Sequence, residues 1–163
     1  MAMDRTNMVS LLDIGLLTGT STNIVMLGDG FTEITENWNP DTESKQYINM
    51  KNKANTVKGY EFSFDAEREY LSDEVQEVID TLFKTLPTGA KCETFYYRFF
   101  KTDVKTGKAD CIKVPVTVAP NTVGGAGGDT LVSSLQVNGN GDSVLGEVTI
   151  TEGGYSWAEK STT

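Results

Sequence analysis

The clearest periodicity in the chain begins at Val57. From there, apolar and polar positions alternate with period two. Tyr60, Phe62, Phe64 and Ala66 share one face; Gly59, Glu61, Ser63, Asp65 and Glu67 share the other. The pattern predicts a half-buried strand whose outward face is acidic. The period then changes. Val75, Val78, Ile79, Leu82, Phe83 and Leu86 fall at helical spacing, a continuous apolar stripe that lies flat on a sheet. The helix-packing set is therefore Val75, Val78, Ile79, Leu82 and Phe83. Ser72 is the expected N-cap, Asp73 and Glu74 sit where the helix dipole favours negative charge, and Pro87 with Gly89 ends the helix.

The rest of the chain reads as strand and turn. Asn23–Leu27 is a short apolar strand closed by Gly28-Asp29-Gly30, and residues 31–36 form a second. CETFYYRFFK from Cys92 is aromatic on both faces, so both faces are expected to be covered. Its hairpin partner places Ile112, Val114, Val116 and Val118 on one side; Pro115 cannot donate to a ladder and predicts an edge or a bulge there. After the glycine-rich turn at 124–128, Leu131, Ser133, Leu135 and Val137 point inward, with Ser134 and Gln136 outward. A last strand follows from Val144. About seven or eight strands and one helix predict a mainly β domain: two packed antiparallel sheets, a β-sandwich flanked by a helix.

Three segments fall outside this pattern. Residues 1–20 have no clean period and read as an N-terminal arm, with a short strand around Val9–Leu17. Residues 151–163 read as a polar C-terminal arm carrying Tyr155 and Trp157. Residues 37–55 are a long polar stretch with Trp38, Tyr47 and Ile48 embedded. Such a loop is usually functional, and its apolar side chains favour docking on something.

Composition narrows the function. With 163 residues the chain is a single domain, 1–163, large enough for a core. A formal charge of −9 repels nucleic acid, and the absence of histidine removes the commonest general base and metal ligand. No leader is expected, because Asp4, Arg5 and Asp13 interrupt the early apolar positions, and no apolar run nears the ~20 residues of a membrane helix. A soluble protein folded in a cytosol is the expectation. Cys92 and Cys111 are expected to stay free. The hairpin register puts Cys111 near Phe100, roughly 26 Å along the strand from Cys92.

No catalytic residues, metal ligands or cofactor are expected. GGAGGDT lacks the lysine and spacing of a phosphate loop. Asn138, Asn140 and Asp142 imitate the start of a calcium loop, but Ser143 and Thr149 occupy positions that need Gly and Glu. The basic residues between Arg98 and Lys113 are interrupted by Asp103 and Asp110.

The ordered series of features resembles the major tail protein of long-tailed, siphophage-type bacteriophages, the subunit of the tail tube. The residues that carry it are Asn39-Pro40 with Lys45-Gln-Tyr-Ile48, the stretch from Thr56 through Tyr60, Asp73 to Phe83, Gly124 to Asp129, and Gly139 to Gly146. The resemblance implies a protomer whose inner sheet closes into a barrel within a six-membered ring, rings stacking into a hollow tube. It implies that 37–55 projects to the adjacent ring through Trp38, Asn39, Pro40, Tyr47 and Ile48, with the two arms adding contacts. Glu61, Ser63, Asp65 and Glu67 are then candidates for the lumen wall, where acidic groups let double-stranded DNA pass transiently and non-specifically. Implied partners are further copies of the chain, a tape measure protein, a tail terminator and distal tail proteins, with no membrane. The implied place is the virion tail, assembled in the host bacterial cytoplasm. Two alternatives stand beside it: the inner tube of a contractile tail or related injection machine, and a monomeric β-sandwich binding module, for instance for carbohydrate.

Overall fold

The computed structural model describes residues 2–152 and 154–159. The strands are β1 (Met8–Asp13), β2 (Ile24–Met26), β3 (Phe31–Glu33), β4 (Asp41–Lys45), β5 (Ala54–Gly59), β6 (Ser63–Glu69), β7 (Glu93–Phe100), β8 (Lys108–Gly124), β9 (Val132–Gly139), β10 (Val144–Thr151) and β11 (Gly154–Glu159). The helix α1 (Glu74–Thr85) is set between β6 and β7. The protein is thus mainly β with one helix. Among the described residues, nine strands form one antiparallel sheet, and β4 with β5 forms a separate two-stranded sheet.

The long strand β8 organises the main sheet. One of its edges pairs with β7 and, through it, with β1 and β2. Its other edge changes partner partway along. Lys108 to Lys113 pair with β10, and Val116 to Gly124 pair with β9. Pro115 lies in the gap between these two ladders. Within a strand the N–H and C=O of one residue point to the same neighbour. The Pro115 carbonyl accepts from Asn140 N at 2.8 Å on the β9–β10 side, so the missing donor also faces the gap. Of the two expectations, an edge or a bulge, the edge does not hold: β8 is a central strand, and its ladder on the β9–β10 side is interrupted at the proline, where two partners meet.

The branching sheet encloses two cores. One packs Leu12, Phe62, Phe64, Tyr96, Val114, Val116, Val118, Leu135 and Val137 under α1, which contributes Val78, Ile79 and Leu82, with Val75 and Phe83 partly buried against it. The other lies on the opposite face of β1 and β7 and holds Val9, Leu11, Tyr97, Phe99, Cys111 and Val148, closed over by Tyr155 and Trp157 of β11. Adjacent Tyr96 and Tyr97 point into different cores, which is why β7 is aromatic on both faces.

Several expectations change in the folded chain. The N-terminal arm over 1–20 contains β1, buried from Val9 onward between β2 and β7. Its run of apolar residues has no period because both faces are covered. The C-terminal arm over 151–163 contains β11, which pairs with β10; Trp157 donates from Nε1 to the Cys111 carbonyl at 3.2 Å. Residues 160–163 of that arm lie outside the described residues. The helix N-cap is Asp73, one residue past Ser72; its carboxylate accepts from Gln76 N at 2.9 Å. Tyr60 and Leu131 are exposed, whereas Ser134 is buried and shares a hydrogen bond with Thr122 at 2.6 Å. Leu86 leaves the apolar stripe because it adopts the left-handed C-cap conformation, with φ 46°. Both cysteines are free and buried.

Candidate assembly surfaces

Residues 37–59 form a hairpin with a locked root and a free tip. The sequence reads 37–55 as a loop, yet β4 and β5 pair from Lys45↔Ala54 down to Asp41↔Gly59. No residue from 41 to 59 is buried. At the tip Tyr47 is 62% exposed and Ile48 is fully exposed. The Lys58–Glu43 pair at 3.0 Å and a Ser44–Asn55 side-chain bond tie the two strands to each other.

The root is held by a convergent set of contacts. Trp38, expected to project, turns inward: its ring lies 4.7 Å from that of Phe62. Its indole N–H donates to Glu36 Oε1 at 3.1 Å. Glu36 Oε2 accepts from the Tyr96 hydroxyl at 2.8 Å and from Arg98 Nε at 3.2 Å. Tyr96 spends its one proton on Glu36, so the 2.9 Å contact with Ser10 Oγ is made by the serine donating. Burial, and then the Glu36 carboxylate, push the Tyr96 hydroxyl well above the tyrosine range, so it remains a donor. Asn39 takes a left-handed conformation, φ 39°, and its amide donates to the Glu61 carbonyl at 3.1 Å and Ser63 Oγ at 3.3 Å. Pro40 is exposed at the base. Of the residues singled out in this segment, Trp38 and Asn39 thus fix the root, and Tyr47 and Ile48 form the tip.

The acidic face has a different arrangement. Along β6, Phe64, Ala66 and Arg68 point inward while Asp65, Glu67 and Glu69 are exposed. Ser63 is half-buried beneath Asn39, and exposed Glu61 precedes the strand. Register adds what the sequence reading missed: Glu33 of β3 lies opposite Glu67, doubling the carboxylates at that point, and Gln136 of β9 lies opposite Asp65.

Arg68 was also missed. It is buried, and its guanidinium grips Asp73 with two bonds, 3.0 and 2.7 Å, while donating to the Asp29 carbonyl at 2.9 Å. The Arg68 bonds hold the Asp73 carboxyl below the usual carboxylate range despite its partial burial. Period two carried past Ala66 puts Arg68 on the inward face, and the helix-start acid five residues later is its partner. That signal is present in the sequence. No such signal marks Glu36, whose distant partners, Tyr96 and Arg98, both come from β7.

No protein-family model matches the chain, and no curated protein matches it by sequence. Its fold is nevertheless shared with solved assemblies. A chain from the tail of an empty gene transfer agent particle with C6 symmetry superposes with TM-score 0.62 at 12% identity, covering 87% of this chain and 97% of that one. A chain from the native gene transfer agent virion gives 0.60 at 9% identity, covering 88% and 98%. One from the sheath/tube terminator structure of an extracellular contractile injection system, PVC, gives 0.54 at 6% identity, covering 89% and 96%. One from the anti-feeding prophage tube-terminating cap gives 0.52 at 6% identity, covering 89% and 91%.

Proposed function

We propose that this chain is a structural subunit of a phage-type tail tube, forming stacked, six-membered rings around a bore. The observation that carries the reading is the hairpin: its root is clamped into the core and its apolar tip is presented to solvent. An isolated two-stranded sheet gains little from folding alone. Its tip gains more by burying Tyr47 and Ile48 on a neighbour. The likeness to chains from tail and tube-end assemblies supports the same reading from the fold. In this reading Trp38, Asn39 and Pro40 orient the hairpin, Tyr47 and Ile48 make the ring-to-ring contact, and sheet edges are satisfied by neighbouring copies. The role is structural, with no catalytic step. Assembly in the host bacterial cytoplasm, and contact with a tape measure protein, a terminator and distal tail proteins, belong to the same proposal.

The strip Glu61, Ser63, Asp65 and Glu67, extended by Glu33, faces the bore in this arrangement. Duplex DNA carries one charge per ~1.7 Å of axis, so a basic wall would retain it by counterion release and an acidic one lets it slide. Replacing Asp65 and Glu67 by lysine leaves tubes intact and slows DNA release; unchanged ejection removes this part of the proposal.

A second reading is a ring that ends a tube, favoured by the likeness to chains from terminator and cap structures. Negative-stain electron microscopy of the purified protein at rising concentration separates the two. Long hollow tubes support the tube subunit, and single rings support the terminator. A protein that stays a single chain overturns both and leaves the binding-module alternative. A companion sheath protein in the native particle identifies a contractile tail.

A further inference from the structure

The end of the β6–β9 sheet remote from the hairpin carries a second exposed apolar surface. The hairpin leaves the body at the start of β6, where Asn37 bridges Ser63. At the other end of β6, seven residues or roughly 20 Å away, Tyr70 N donates to the Leu131 carbonyl at 2.9 Å and extends the β6–β9 ladder by one step. Tyr70 is 36% exposed, Leu71 37%, Leu131 45% and Val123 53%. Val123 lies opposite Ser133, two residues along β9 from Leu131 and on the same face.

Charge says what this surface fits. The hairpin tip, 45–53, contains Lys45, Lys51 and Lys53 and no acid, in a chain of net charge −9. The patch segments are the reverse. Residues 121–134 contain Asp129 and no base; residues 69–74 contain Glu69, Asp73 and Glu74 and no base, with Asp73 paired to the buried Arg68. A basic, apolar projection at one end and an acidic, apolar surface at the other complement each other only between different copies. Identical ends would repel.

We infer that the hairpin tip of one copy docks on the Tyr70, Leu71, Val123 and Leu131 surface of the next, with Lys51 and Lys53 meeting Glu69 and Asp129. This rests on the stacking reading above and assigns its receiving site. The contact is head-to-tail, so it propagates along an axis instead of closing a dimer.

Cross-linking tests it. Full-length Ile48→Cys and Leu131→Cys proteins are mixed and treated with a short bismaleimide; the native cysteines are buried and do not compete. The expected two-chain product exceeds, by at least tenfold, that from mixing Ile48→Cys with Leu145→Cys, an exposed control on β10. Adding Lys51→Glu and Lys53→Glu to the first protein lowers the yield about tenfold. Adding Glu69→Lys and Asp129→Lys to the second restores it. Tubes or rings in the microscope with no excess at position 131 overturn the receiving site and leave the stacking reading intact. Single chains at every concentration overturn both.

Discussion

The hairpin β4–β5 and the hairpin β8–β9 are built from the same antiparallel ladder, yet they are stabilised by different things. In β8–β9, Val116, Val118, Leu135 and Val137 are buried, and the ladder is one face of a core. In β4–β5 nothing is buried, and the strands are held by backbone bonds, one exposed ion pair and one side-chain bond. An exposed pair of this kind contributes about 0–1 kcal/mol. The difference teaches where each region's energy resides. The body is stabilised within the chain, whereas the hairpin is oriented by the chain and left for another surface to complete. The division falls at the root, where Trp38 and Glu36 still belong to the body.

Four variants sharpen that division, from the largest effect on folding to the smallest. Leu11→Ala empties a fully buried position between β2 and β7 and costs about 3 kcal/mol, read as a lower midpoint in urea melts. Should the midpoint stay where it is, the second core is not stabilising the body. Gly146→Val costs about 2 kcal/mol, because a Cβ there would meet the Trp157 ring and the Ala158 carbonyl at 2.5 Å. Lifting β11 exposes the indole, so a red-shifted tryptophan emission accompanies the loss; unaltered emission contradicts the packing.

Asp73→Asn weakens both the grip of Arg68 and the helix cap. The expected cost at neutral pH is about 2 kcal/mol, less than for a fully buried pair because Asp73 keeps part of its side chain in water. The Asp73 carboxyl is depressed in the folded state. Its contribution is therefore complete above the unfolded value near ~4 and is lost as pH falls through the lower folded value. The gap between wild type and variant should narrow below about pH 4; a gap that is constant with pH assigns the effect to something other than this ionisation.

The double change Tyr47→Ser with Ile48→Ser has the smallest effect on folding. Both side chains are exposed, so the melt should move by no more than about 0.5 kcal/mol. Assembly, followed by light scattering and microscopy, should fail. A large loss of stability would mean that the tip already packs within its own chain. Full assembly by a normally stable variant would mean that the apolar tip is not the stacking contact.

How much of this was legible depends on whether a feature is local. The strand at β6, the helix stripe, the aromatic strand β7 and the exposed acids at 65 and 67 are each written in a single run of residues, because side-chain direction follows the backbone period. The sequence alone therefore determined a mainly β domain with one helix, free cysteines and an acidic strand face. The tertiary structure decided the rest. Residues 8–13 read as a short strand within an arm, and nothing in them shows that the strand is a central one until β2 and β7 flank it. Pro115 looks like an edge marker until the ladder beside it changes partner. Trp38 looks like a projecting anchor until Phe62 and Glu36 draw it inward. Each of these depends on residues distant in the chain meeting at one place, and a one-dimensional period cannot encode which distant partner will cover a given face.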